Sequence, residues 1–316
     1  MKKSIENILV PVLSTGECEI LLKQAMYFNE VFSSKITLLH VVPKISFLKR
    51  TLQPKKLNPL RVKQEALSKM THCVNEYFNN KIPDFIDLKI ATGELVAEIP
   101  KMLIAHNFDF IIIKEYSKIA SLLDKLKMDS EKIVSGIECP VMIMHEKWTK
   151  TGIKEILVPI DITQKCRDVV LWAAAISLKL KARIQIVSIV NLNIDVEKSL
   201  VSKRSNLIKN WVTKQGIECD LTILKSAPGK MHEALLTFAD RGNADLIMIL
   251  THEEFIAANN YLGKFAKEII HRSPKPVLSL ISRSKPMFDV VHDSHKYGIK
   301  DRIERLNIPE DNIEDK

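Results

Sequence analysis

The hydrophobic residues of this chain gather in short unbroken runs. Between them lie stretches in which apolar positions return every three or four residues. Ala244-Asp245-Leu246-Ile247-Met248-Ile249-Leu250 is the clearest run. Unbroken Ile, Leu and Met with no period-two alternation predict a strand buried on both faces. A polar loop, Thr251-His252-Glu253-Glu254, follows it. From about Gly263 to His271, Phe265, Ile269 and Ile270 are set among Lys264, Lys267, Glu268 and His271, the pattern of an amphipathic helix. Pro274 and Pro276 end that helix and open another strand at Val277-Leu278. Strand, loop, helix and strand in this order form a right-handed crossover of an open parallel sheet. Ligands of such sheets sit beyond the carboxyl ends of the strands, which here means the loop starting at Leu250.

The pattern occurs twice. Ile8-Leu9-Val10-Pro11-Val12 returns as Ile156-Leu157-Val158-Pro159-Ile160, and the run from Lys35 to Val42 returns from Arg183 to Val190, both at an offset of 148. Thr92-Gly93-Glu94 meets Pro228-Gly229-Lys230 at 136, as do Asp109-Phe110-Ile111-Ile112 with Asp245-Leu246-Ile247-Met248 and Pro140-Val141-Met142 with Pro276-Val277-Leu278. Collinear matches with a single change of offset indicate a duplicated unit, far longer than a solenoid repeat. The offset falls by 148 − 136 = 12, so the first copy carries about twelve additional residues between Val42 and Thr92. Residues 44–69, with Lys49-Arg50, Pro54-Lys55-Lys56 and Pro59, read as a basic, proline-broken loop ahead of a helix. A tolerated surface insertion is the favoured reading, and a lid or partner-contacting arm competes with it. Strands alternating with helices in each copy predict a parallel α/β sheet. The expected division is residues 1–147 and 152–283, followed by a polar C-terminal extension, 284–316. The linker Glu146 to Gly152 holds Trp148, expected to pack at the interdomain seam. Arg283 to Lys316 mixes eight acidic with seven basic residues, with one short helix predicted near 300–306.

Composition narrows the class. A length of 316 residues suits two domains, a hydrophobic content of 46% fills real cores, and no apolar run approaches the ~20 residues of a membrane span. Met1 to Glu6 leads straight into a strand-like run without a signal-peptide core, so a cytoplasmic location is expected. Cys18, Cys73, Cys139, Cys166 and Cys219 are scattered, which opposes both a disulfide framework and a C-x-x-C pair. The net charge, 47 − 38 = +9, is spread along the chain with no Arg-aromatic interleaving. It reads as solvated surface, with neither nucleic acid nor membrane as partner.

The Ile-Leu-Val-Pro opening of both copies, the strand ending in His40-Val41-Val42, and Gly93 or Pro228-Gly229 before a helix together resemble the universal stress protein family, here as a tandem pair. Asn243-Ala244-Asp245-Leu246-Ile247 and the Pro-Val-Leu last strand complete the resemblance. It implies two Rossmann-like (adenine nucleotide alpha hydrolase-like) domains, each a five-stranded parallel sheet with helices on both faces. It also implies pairing through the last strands, made inside this chain or in a homodimer.

Nucleotide-binding relatives hold ATP with an Asp after the first strand and a Gly-x2-Gly-x9-Gly-Ser/Thr loop after the fourth. Glycines let backbone amides approach phosphate, and the helix N-terminus adds its dipole. Carried over residue by residue, the second copy has Asp161 at the acid, Leu250, Glu253 and Gly263 at the glycines, and Lys264 at the hydroxyl. Glu253 sets a carboxylate against phosphate unless a metal ion bridges them, while Lys264 offers a compensating charge at the helix start. The first copy has Leu13 for the acid and Lys114, Ser117, Lys127 and Met128 in the loop. Only nine glycines occur in the whole chain, so material for phosphate cradles is scarce. The expectation is a dead first site and a decayed or altered second one. No cofactor is expected, with ATP at Asp161, Gly263 and Lys264 as the competing reading.

No G-x-S-x-G, Walker loop or G-x-G-x-x-G is present. His252, Glu253 and Glu254 with His271 match no metal-ligand spacing. His292 and His295 with Asp289 and Asp293 lie on the extension without a scaffold, and His40 reads as a satisfied strand-end histidine. The function expected is a non-enzymatic stress-response module that regulates or contacts a protein partner of unknown identity, at most a slow ATPase. The alternative is an adenylate sensor in the second copy.

Overall fold

Each predicted strand buries alternate residues on two apolar layers, and this fixes where the helices pack. A computed structural model of the chain describes residues 5–13, 18–44, 58–115, 129–145, 148, 150, 152–160, 166–191, 200–251 and 262–281. The first copy supplies β1 (Asn7–Val12), α1 (Cys18–Phe32), β2 (Lys35–Val42), α2 (Pro59–Tyr77), β3 (Ile86–Thr92), α3 (Leu95–His106), β4 (Phe110–Glu115), α4 (Ser130–Gly136) and β5 (Val141–His145). The second supplies β6 (Glu155–Ile160), α5 (Cys166–Leu180), β7 (Arg183–Asn191), α6 (Leu200–Lys214), β8 (Cys219–Ser226), α7 (Met231–Arg241), β9 (Leu246–Leu250), α8 (Lys264–Arg272) and β10 (Val277–Leu280).

The strands form one sheet of ten, in the order β3-β2-β1-β4-β5-β10-β9-β6-β7-β8. The five-stranded parallel sheet expected of each copy is present, and pairing of the last strands joins the two into one. Each copy contributes five parallel strands, but β5 and β10 pair antiparallel, Val277 with Ile143, Leu278 with Met142 and Ser279 with Val141. Two edges that would otherwise be open templates for other strands thereby close on each other. Because 142 + 136 = 278, the pair at the centre of this seam is a residue and its own counterpart, and a local pseudo-twofold axis passes between them.

Helices cover both faces. Ile8, Val10, Phe110, Ile156, Val158 and Leu246 pack with α1, α2, α5 and α6 through Phe28, Met70, Trp172 and Val212. Leu9, Ile111, Ile113, Leu157, Ile247 and Ile249 pack with α3, α4, α7 and α8 through Ile99, Ile133, Leu235 and Ile269. Residues 45–57 of the predicted insertion lie outside the described residues. The remainder from Pro59 is helix, not loop: Asn58 accepts the Leu60 amide at 2.9 Å, and proline suits a first helical turn. The extension from 282 onward, including its predicted short helix, also lies outside the described residues.

One strand-end device is duplicated. The Asp109 carboxylate accepts the amides of Glu6 and Asn7 at 3.0 Å each, and its counterpart Asp245 accepts those of Lys154 and Glu155 at 2.9 and 3.2 Å. Asp245 therefore precedes the fourth strand of its copy and fastens it to β6, so β9 starts at Leu246 and not at Ala244. Hydrogen bonds to a charged acceptor are worth about 1.5–3 kcal/mol, so Asp245→Ala should lower the unfolding free energy by about that amount in a urea titration. The linker is fastened too. Gln24 Nε2 donates to the Lys150 carbonyl at 2.6 Å, and the Ile153 amide donates to Tyr27 Oη at 3.1 Å. Trp148 is buried, with Lys150 Nζ 5.3 Å and Lys275 Nζ 5.4 Å from its ring, so it packs where the copies meet.

Candidate functional site

The carboxyl ends of the central strands are where a ligand of this fold would lie. In the first copy Leu13, in the acid position, packs against the core. Lys114 is buried near the end of β4, and Ser117, Lys127 and Met128 lie outside the described residues. The helix start that would face phosphate carries a carboxylate of its own. Asp129 accepts the Lys132 amide at 3.1 Å, and Lys132 Nζ lies 3.1 Å from the same carboxylate. This cap satisfies the Lys132 amide and puts a carboxylate at the start of α4.

In the second copy Asp161, Glu253 and their loops lie outside the described residues, as does His252. Thr251, just past β9, is turned inward and is 1% exposed: its hydroxyl donates to the Leu280 carbonyl at 2.9 Å and accepts from Ser279 Oγ at 3.2 Å. Gly263 is the N-cap of α8, with φ −59° and ψ 151°, a conformation open to any residue, and no side chain caps the helix. Lys264 opens the helix and is exposed. Gly263 and Lys264 thus sit together at the helix start. His40 is satisfied, its Nδ1 2.9 Å from the Val12 carbonyl. No three His, Cys, Asp or Glu side chains among the described residues gather as a metal site. Burial pushes the Cys139 thiol up and the Cys219 thiol up to about 11, which keeps both protonated and unreactive. An open cleft of about 540 Å³ lies apart from these positions, along β8 and α7 between Leu224, Lys225, Phe238 and Arg241.

Charged groups that the sequence reading did not bring together meet at the seam. His271 of α8 shares its Nδ1 with Glu115 at 2.8 Å, and its Nε2 lies 3.5 Å from Glu131. Lys267, one turn earlier, forms an ion pair with Glu131. The Glu115 hydrogen bond raises the His271 pKa against the opposing effect of burial, with the Glu115 charge and Glu131 adding to the rise. His145, at the end of β5, is held down to about 4 by burial and by the nearby His271 charge, and its buried Nε2 has no hydrogen-bond partner among the described residues. These residues are 140 and 156 positions apart in pairs, so only the pairing of β5 with β10 brings them together.

Residues 152–280 match the universal stress protein family. The second half of this chain belongs to that family. No curated protein matches the chain. The fold of the whole chain is similar to a universal stress protein from Archaeoglobus fulgidus DSM 4304, with TM-score 0.62 and 21% identity over 87% of this chain and 98% of that one. It is also similar to a functionally unknown protein from Pseudomonas aeruginosa PAO1, with TM-score 0.63 and 17% identity over 94% of this chain and 98% of the other. Since the likeness to the Archaeoglobus protein covers 87% of this chain, the fold shared with it extends over both copies. Among the described residues no helix is long and apolar enough to cross a membrane.

Proposed function

We propose that the chain is a non-enzymatic regulatory or interaction module of the universal stress protein family. In this reading residues 1–147 and 152–283 are two paired units, residues 284–316 are an extension, and a protein partner receives the signal. The Asp129 cap on α4 carries the reading, because in the first copy an internal carboxylate stands at the start of the helix that would face a nucleotide phosphate. The inward turn of Thr251 supports the same conclusion for the second copy by removing a hydroxyl from the loop.

A second reading, an adenylate sensor built on Asp161, Gly263 and Lys264, draws on one observation. The first turn of α8 has no side-chain cap and begins with an exposed lysine, both of which favour an anion. Calorimetric titration of the full chain with ATP and Mg²⁺, beside Asp161→Ala, separates the two. The interaction module predicts no heat and no thermal shift at millimolar ATP. Saturable binding that the substitution abolishes would replace it with the sensor.

A further inference from the structure

We infer that the charges across the β5–β10 seam make each half of the chain accept the other half and reject a copy of itself. The pseudo-twofold axis between Met142 and Leu278 relates the two sides of the seam. Residues near such an axis meet their own counterparts, and 131 + 136 = 267, so Glu131 and Lys267 are equivalent positions. In this chain they are an acid and a base, and they form an ion pair across the seam. The flanking contact follows the same rule. His271 is the counterpart of Ser135, and Glu115 that of Thr251, so the His271–Glu115 contact has Ser135 and Thr251 as its uncharged mirror image.

Replacing one half by a second copy of the other removes this complementarity. Two first halves on the same axis would bring together two copies of Glu131 and two of Glu115, four carboxylates with no cation from these positions. Two second halves would bring together two copies of Lys267 and two of His271 with no carboxylate from these positions. Glu268 does not supply one, because it is turned to Arg272 at 3.0 Å and His232 at 4.0 Å. The seam groups are partly shielded, Glu115 being 13% and Lys267 34% exposed, so solvent screens them less than open-surface charges. Like charges brought together at a partly desolvated interface are the usual means of rejecting a wrong partner. The register of the β5–β10 ladder is symmetric about the axis, and within it Ile143 has Ser279 as its counterpart. The charges on α4, α8 and the end of β4 distinguish unlike from like pairing.

The test uses the full chain with a protease site introduced between Trp148 and Gly152, cut only after folding, and native mass spectrometry at low salt. The cut wild type should remain a one-to-one pair of unlike halves. Lys267→Glu sets a third carboxylate against Glu131 and Glu115 and should weaken the pair about tenfold or more. Glu131→Lys with Lys267→Glu should restore it, and the thermal midpoint of the uncut proteins should follow the same order. If Lys267→Glu does not fold, Glu131→Lys tests the mirror case against the same double variant. Pairs of like halves in the cut wild type, or separation of its halves, would overturn the inference. So would a single variant as tightly paired as wild type, or a double variant no better than the single.

Discussion

Leu278→Asp is expected to destabilise the protein by about 5 kcal/mol or more, close to the whole stability of an ordinary domain. Leu278 has no exposed surface, faces Met142 at the centre of the seam, and contributes to the apolar layer under α1 and α5. Truncating a buried leucine to alanine costs about 2–5 kcal/mol through lost transfer energy and the cavity left behind. An aspartate adds a polar group with no partner in that layer, which must be desolvated or protonated. Because the seam joins the copies, one cooperative transition should shift and the halves should lose stability together. Leu207→Asp is the control. Leu207 is 55% exposed on α6, and its substitution should change the urea midpoint little, by about 0.5 kcal/mol or less. Equal effects at the two positions would contradict the seam.

The second large effect is a loss of stability in acid that depends on His145. Its folded pKa of about 4 lies below the ordinary 6.5 because the ring is buried, with the His271 charge nearby. A depressed base contributes stability that is fully present above pH 6.5 and is lost as pH falls toward 4, since the unfolded chain takes up the proton first. The difference of about 2.5 pH units corresponds to about 3 kcal/mol. His271 works in the other direction. Its pKa is raised by Glu115, so its contribution is full below about 6.5 and is lost as pH climbs through the raised value. Glu115 from β4, Glu131 from α4, and Lys267 and His271 from α8 are the charged groups that face this corner. The two histidines together give a stability maximum near neutrality. His145→Leu should flatten the acid limb, because leucine fills the buried site and takes up no proton. Glu115→Gln should flatten the alkaline limb instead. Urea midpoints across this range measure both, and an acid limb unchanged in His145→Leu would contradict the assignment.

Much of the fold was legible because it is local. The unbroken apolar runs became central strands, and the offsets of 148 and 136 separated two copies of one strand–helix order. The proline pair around Lys275 marked the start of β10. Pro59 misled, since proline breaks a helix interior but suits its first turn, and α2 begins there. Asp109 and Asp245 were visible as a repeated pair, yet their binding of two amides each depends on the neighbouring strand β1 or β6. The candidate site was less legible. Gly263 and Lys264 do share a helix start, but the inward turn of Thr251 depends on β10, and the Asp129 cap depends on where α4 begins. The seam cluster left no local signal. Its one trace is arithmetic: Glu131 and Lys267 are separated by the repeat offset, which matters only once β5 is known to lie beside β10.

Hydrogen exchange of backbone amides tests the continuous sheet most directly, at a concentration where light scattering finds single chains. If β5 and β10 join within one chain, amides of Val141–His145 and Val277–Leu280 are central and should be protected as strongly as those of β4 and β9. The outer strands β3 and β8 supply the internal comparison and should exchange faster. Protection of β5 and β10 no greater than that of β3 and β8 would mean the copies do not share a sheet.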